Sequence, residues 1–128
     1  MSIKVIPEDI AQFIVDKIDS VAQMEALLLL RSDPKKEWSG DALAKRLYIT
    51  ENDTAEILVR LRAGGLVAKK SPLSKYKYQP RSKKLRHMVD RIADVYTKNL
   101  VAVTALIHTK PKNRLQEFAD AFKLRKDE

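Results

Sequence analysis

Apolar residues near the start of this chain recur at the three- and four-residue intervals that line one side of an α-helix: Ile10, Phe13, Ile14 and Ile18. Pro7, Glu8 and Asp9 stand where such a helix would begin. The fixed φ of proline suits the first turn, and carboxylates there meet the positive end of the helix dipole. Ser20 and Gln23 have the spacing of a capping box, in which the hydroxyl accepts from the backbone N–H three residues on. They open a second helical segment from Met24 to Leu30, whose run of leucines predicts a helix buried on most sides. Ser32, Asp33 and Pro34 close it.

Ser39 is placed to cap a short third helix from Gly40 to Leu47, with Ala42, Leu43 and Leu47 on its apolar face. Tyr48, Ile49 and Thr50 separate it from a fourth, in which Thr50 and Asp53 repeat the capping spacing and Gly64-Gly65 marks the end. Two short helices joined by about three residues have the spacing of a helix-turn-helix. Leu66 to Lys70 then reads as a strand, Ser71 to Ser74 as a turn, and Lys75 to Gln79 alternates with period two until Pro80 stops it. In that hairpin Tyr76 and Tyr78 share the face that packs on the domain, leaving Lys75 and Lys77 outward. From Ser82 a stripe through Leu85, Val89, Ile92, Tyr96, Val103 and Leu106 predicts one long helix to His108. Pro111 ends it, and Asn113 stands before a last helix carrying Leu115, Phe118, Ala119 and Phe122 on one side.

The expected fold class is therefore mainly α with a small β-hairpin wing, a winged helix-turn-helix with flanking dimerisation helices. Three segments follow: an N-terminal helix over 1–19, the winged domain over 20–80, and the long and C-terminal helices over 81–128. A chain of 128 residues, 45% apolar, with only 3 glycines, has the composition of one α-rich domain with a real core. The absence of cysteine excludes disulfides, thiolate zinc sites and thiol nucleophiles. The first nine residues lack the basic flank and apolar stretch of a secretory signal. The longest apolar run, Leu100 to Ile107, is far short of the roughly 20 residues a membrane span needs. A cytoplasmic protein without a membrane partner is expected.

Charge is unevenly placed. Met1 to Ala68 carry 9 basic residues against 11 acidic, whereas Lys69 to Arg86 carry 8 basic residues and no acid, within a net charge of +8. An acid-free basic stretch favours phosphate, because each contact releases condensed counterions whatever the base sequence. Chemistry for catalysis is missing. His87 and His108 lie about 30 Å apart if they share one helix rising ~1.5 Å per residue. Asp90 and Asp94, near Arg86, Arg91 and Lys98, read as surface ion pairs, and no nucleophile and base stand together. No enzyme activity, cofactor or metal is expected.

Ala42 to Leu47 followed by Thr54 to Val67 resembles the core of winged helix-turn-helix regulators, in the order of elements found in the MarR-like and PadR-like bacterial repressors. With flanking segments such as Phe118 to Asp127, the whole is similar to small bacterial winged-helix proteins of unassigned role. The resemblance implies a homodimer on double-stranded DNA, with the second helix of the motif in the major groove. Asn52 and Arg60 would then lie nearest the bases, and Lys69, Lys70, Lys75, Lys77, Arg81 and Lys83 would meet phosphate. Val89, Ile92, Tyr96, Val103, Leu106, Phe118 and Phe122 would form the dimer interface. No operator or small-molecule effector follows from the sequence. One departure stands out: Glu51, Asp53 and Glu56 occupy the half-helix where regulators of this type carry base-reading residues. These acids suit a helix N-terminus, and Glu56 has the spacing to pair with Arg60. The alternative function is a protein-binding module whose basic hairpin grips an acidic partner.

Overall fold

The structure is a computed structural model that describes residues 6–70, 72 and 74–109. Its elements are α1 (Glu8–Lys17), α2 (Val21–Ser32), β1 (Trp38–Ser39), α3 (Gly40–Leu47), α4 (Glu51–Ala63), β2 (Val67–Lys70), β3 (Lys75–Tyr78) and α5 (Lys83–Lys98). Residues 100–109 are helical and form α6. Among the described residues no helix is long and apolar enough to cross a membrane.

Local chemistry sets the helix starts. The side chains of Ser20, Ser39, Thr50 and Ser82 accept from the backbone N–H groups of Gln23, Ala42, Asp53 and Leu85, each at 3.0 to 3.1 Å. Each cap satisfies a donor that the helix itself leaves unpaired. Gln23 does more than the capping box predicts. Its amide accepts from the Asp19 N–H at 2.9 Å and donates to the Lys17 carbonyl at 2.8 Å, so this buried side chain ties the end of α1 to the start of α2.

The core is one cluster. Ile10, Ile14 and Ile18 meet Met24, Leu27 and Leu30 of α2, Leu43 of α3, Leu58 and Leu61 of α4, and Val89 and Ile92 of α5. β1, β3 and β2 form an antiparallel sheet in that order, so β3 is paired on both sides. Trp38 faces Tyr76, Val67 faces Tyr78, and Ala68 faces Lys77. Trp38, Tyr78 and Val67 are buried on the inner face, whereas Ala68, Lys70, Lys75 and Lys77 share the outer one. The Lys36 ammonium stands 3.8 Å from the centroid of the Trp38 ring and covers it from the solvent side.

The long helix expected from Ser82 to His108 is two helices. At Asn99 (φ −135°, ψ 50°) the backbone leaves the helical region, although its N–H still reaches the Val95 carbonyl at 2.8 Å and its own carbonyl accepts from Val103 at 3.0 Å. Asparagine is a poor helix former because its side chain competes for backbone groups. Beyond the break Val103 and Ile107 are buried, while Leu100 and Val101 are exposed.

Polar links hold α5 to the body. Arg31 meets Asp90 at 2.9 Å, Arg91 meets Asp9, and the Tyr96 hydroxyl donates to the Glu25 carboxylate. The guanidinium of Arg91 holds the Asp9 carboxyl below the usual carboxylate range. Its contribution to stability is therefore present above the ordinary carboxylate pKa and lost as pH falls through the lowered value. Burial, and then Glu25, push the Tyr96 phenol well above its ordinary range, so it remains a donor at neutral pH.

Two left-handed residues give opposite expectations. Gly65 has φ +76°, and a Cβ there would lie 3.0 Å from the Arg81 guanidinium carbon; Gly65→Ala should cost about 1–2 kcal/mol. Tyr48, the αL cap of α3, is 92% exposed, so its ring offsets little of the strain. Tyr48→Gly should gain roughly 0.5–1 kcal/mol after the extra chain entropy of glycine is subtracted. Urea melts of both variants check this, and two shifts of the same sign would contradict it.

Candidate nucleic-acid interface

α3 and α4 form the helix-turn-helix, joined through Tyr48, Ile49 and Thr50, with the Ile49 N–H bonded to the Ala44 carbonyl at 3.1 Å. α4 buries Thr54, Ile57, Leu58 and Leu61. Helical periodicity then fixes what its other sides present. Asp53, Glu56 and Arg60 line a groove shared with Asp19, Ser20 and Gln23 at the start of α2. Arg62 lies on the opposite flank, toward the wing. Between them Asn52, Ala55 and Val59 are exposed to solvent.

On the wing side Arg62, Lys69 and Arg81 converge on a cleft of about 430 Å³, floored by Gly65, Gln79 and Pro80. The Arg81 N–H donates to the Gly65 carbonyl at 2.7 Å, which pins the residue while its side chain lies across the glycine that has no Cβ to block it. The Lys70 ammonium reaches the Gln79 side-chain oxygen at 3.1 Å, and Lys75 and Lys77 stand on the outer face of β3. The Arg86 guanidinium sits 5.5 Å from the centroid of the Tyr78 ring.

The arrangement of ion pairs gives this surface its character. Five cations of the helical body are paired, Arg31 with Asp90, Lys45 with Asp41, Arg60 with Asp19, Arg91 with Asp9 and Lys98 with Asp94, whereas Lys17, Arg46, Lys84 and Arg86 have no carboxylate within 4.0 Å among the described residues. Among the described residues, Arg62, Lys69, Lys70, Lys75, Lys77, Arg81 and Lys83 have no carboxylate within 4.0 Å. They surround the wing and the adjoining end of α4. Unpaired cations gathered on one side attract phosphate and raise its local concentration.

The structure places Lys69, Lys70, Lys75, Lys77 and Arg81 together on and beside the hairpin, with Lys83 in the first turn of α5. The expected pair of Arg60 with Glu56 is not formed, and the Arg60 guanidinium is engaged by Asp19 instead. Arg62, not singled out in the sequence, belongs to the cationic cleft; a basic residue in the last helical turn before the glycines and the acid-free hairpin was the available signal.

A second correction concerns the residues assigned to a dimer interface. Val89, Ile92, Tyr96 and Val103 are buried within a single chain, in one cluster with α1 and α2, and Leu106 packs partly against it. Periodicity reveals that a face is buried but not whether another part of the same chain covers it. Phe118 and Phe122 lie outside the described residues.

These elements, three helices with a three-stranded antiparallel wing and helices to either side, match a solved structure. The chain is similar to the multiple antibiotic-resistance repressor (MarR) from Listeria monocytogenes 4b F2365, with a TM-score of 0.51 and 20% identity over 93% of this chain and 82% of that one. This chain has the winged-helix fold of a MarR repressor. At that identity the likeness to MarR is one of fold. No protein-family model matches the sequence, and no curated protein matches it.

The burial of Val103 gives a direct check. An unpaired carboxylate at this fully buried position should cost roughly 3–5 kcal/mol, so Val103→Asp should abolish a cooperative thermal transition. Val101→Asp, at a position 81% exposed, should melt as the parent does. A folded Val103→Asp monomer would place this residue at an interface between chains instead.

Proposed function

We propose that this protein is a DNA-binding transcription regulator that holds duplex DNA through its basic wing and α4, and that it acts as a cytoplasmic homodimer. The observation that supports this most is the clustering of charge: among the described residues Arg62, Lys69, Lys70, Lys75, Lys77, Arg81 and Lys83 gather around the wing with no carboxylate within 4.0 Å. The winged-helix fold supports the same reading, since helix-turn-helix proteins lay the second motif helix in the major groove and Arg62 of α4 shares a cleft with Lys69 and Arg81 beside the wing. In this reading the protein binds DNA and carries out no catalysis. Lys69, Lys70, Lys75, Lys77, Arg62, Arg81 and Lys83 contact phosphate and fix the protein on the duplex without selecting sequence.

Glu51, Asp53 and Glu56 favour a second reading, a module whose hairpin grips an acidic protein, because carboxylates on α4 repel phosphate. Binding to random duplex separates the two. In a gel-shift series across salt, the parent should bind at low salt, with log affinity falling by about 0.9 unit per phosphate contact for each unit of log salt. Lys75→Ala with Lys77→Ala should weaken every duplex alike and flatten that slope by about two contacts' worth. Equal slopes in parent and double variant would remove the wing from the interface, and no duplex binding at low salt would leave the acidic-partner reading standing.

A further inference from the structure

The wing has an outer strand with an open side. β2 ends the sheet, with β3 as its neighbour. Directly opposed residues of an antiparallel pair exchange backbone hydrogen bonds at every second position. The Gln79 N–H bonds the Leu66 carbonyl at 3.0 Å, and Val67, Ala68 and Lys69 then face Tyr78, Lys77 and Tyr76 in turn. Leu66 and Ala68 therefore bond toward β3, whereas Val67 and Lys69 turn their N–H and C=O groups away from it. Among the described residues no other hydrogen bond takes these groups up. The edge thus shows two donors and two acceptors.

The surroundings of this edge are concave and cationic. Val67, Ala68 and Lys69 line the cleft that also holds Arg62 and Arg81, and the Arg81 guanidinium lies over Gly65 at its floor. None of the three cations has a carboxylate within 4.0 Å among the described residues. A phosphate chain answers only part of such a site. Its oxygens accept, so they suit the cations and the two N–H groups but stand lone pair to lone pair with the two carbonyls. A peptide strand brings N–H and C=O in the alternation that the edge requires. The cations then specify acidic side chains. In an antiparallel addition, the residue that bonds Lys69 projects its side chain on the same face as the lysine, where opposite charges on neighbouring strands attract.

We infer that the open edge of β2 is a docking site for an extended acidic segment of another protein, which adds to the wing as a fourth strand and sets carboxylates against Arg62, Lys69 and Arg81. This goes beyond the proposed DNA binding and does not depend on it. The same three cations are those proposed for phosphate, so a bound strand would withdraw them from a duplex.

The test uses the full chain and a short capped peptide of alternating glutamate and valine. Calorimetric titration at low salt should show binding that weakens as salt rises. N-methylation of the peptide amides removes its donors and keeps its charge, and should lower affinity roughly tenfold or more. Amide hydrogen exchange followed by NMR should slow at Lys69 when peptide saturates the chain, with Ala68, already bonded to β3, as the reference. Lys69→Gln removes the charge and should weaken binding several-fold. Lys69→Pro also removes the outward N–H, a change that an outer strand tolerates, and should abolish binding. Circular dichroism checks that this variant folds; if it does not, the N-methylated peptide and the exchange at Lys69 decide. Equal affinity for the N-methylated peptide, equal affinity for a lysine–valine counterpart, or unchanged exchange at Lys69 would overturn the inference. So would exchange at Lys69 that slows with protein concentration alone, which would assign the edge to a second copy of the chain. None of these measurements involves a duplex, so failure here leaves the DNA proposal untouched.

Discussion

The burial of α2 is the constraint on which the rest depends. Met24, Ala26, Leu27 and Leu30 are fully enclosed, and α2 packs against α3, α4 and β3. Each large apolar side chain removed from water stabilises by about 1.5–3 kcal/mol, whereas the partly exposed ion pairs around it contribute about 0–1 kcal/mol each. Apolar packing therefore sets where α4 and the sheet stand, and the polar groups refine it. Arg31 and Glu25 extend from the same helix to Asp90 and Tyr96 of α5, so the flanking helices are referenced to α2 as well. What the molecule presents at its surface thus depends on a helix that is itself largely enclosed.

The placement of glycine and of charge at the wing follows from that frame. α4 ends where Gly65 turns the chain into β2, and the Leu66 carbonyl and Gly65 carbonyl accept from Gln79 and Arg81 at 3.0 and 2.7 Å. These bonds return the second wing strand to the end of α4. The guanidinium of Arg81 thus lies beside Arg62 although 19 residues separate them in the chain. Backbone geometry gathers the cations there against their mutual repulsion, which at the surface is weakened by solvent and salt.

Features decided within a few residues were legible in the sequence. The caps at Ser20, Ser39 and Thr50 depend on a side chain and an N–H three residues away, and each lies where its spacing predicts; Ser82 caps α5 in the same way. The hairpin and the outward Lys75 and Lys77 follow from period-two alternation in the same way. What escaped was set at a distance. β1 has two residues and exists only because Tyr76 and Lys75 lie opposite Trp38 and Ser39. Arg60 finds Asp19 across 41 residues, although Glu56 stands at the favourable helical spacing. The apolar stripe runs through Asn99 without interruption, so its pattern conceals the break. The basic half of the candidate site was thus visible as composition, while the orientation of α4 emerged only once its buried side was known.

The sheet order has a separate consequence. With β3 enclosed between its neighbours, the unpaired backbone groups of the wing belong to β2 and to the two-residue β1. An open strand edge is a template on which a strand from another molecule can pair, and proteins guard such edges with lysine. Lys69 and Lys70 stand on β2 and bring two positive charges to that edge. Two molecules approaching edge to edge would bring four ammonium groups together before any backbone bond formed. Lysines at this edge oppose the joining of neighbouring wings into a continuous sheet.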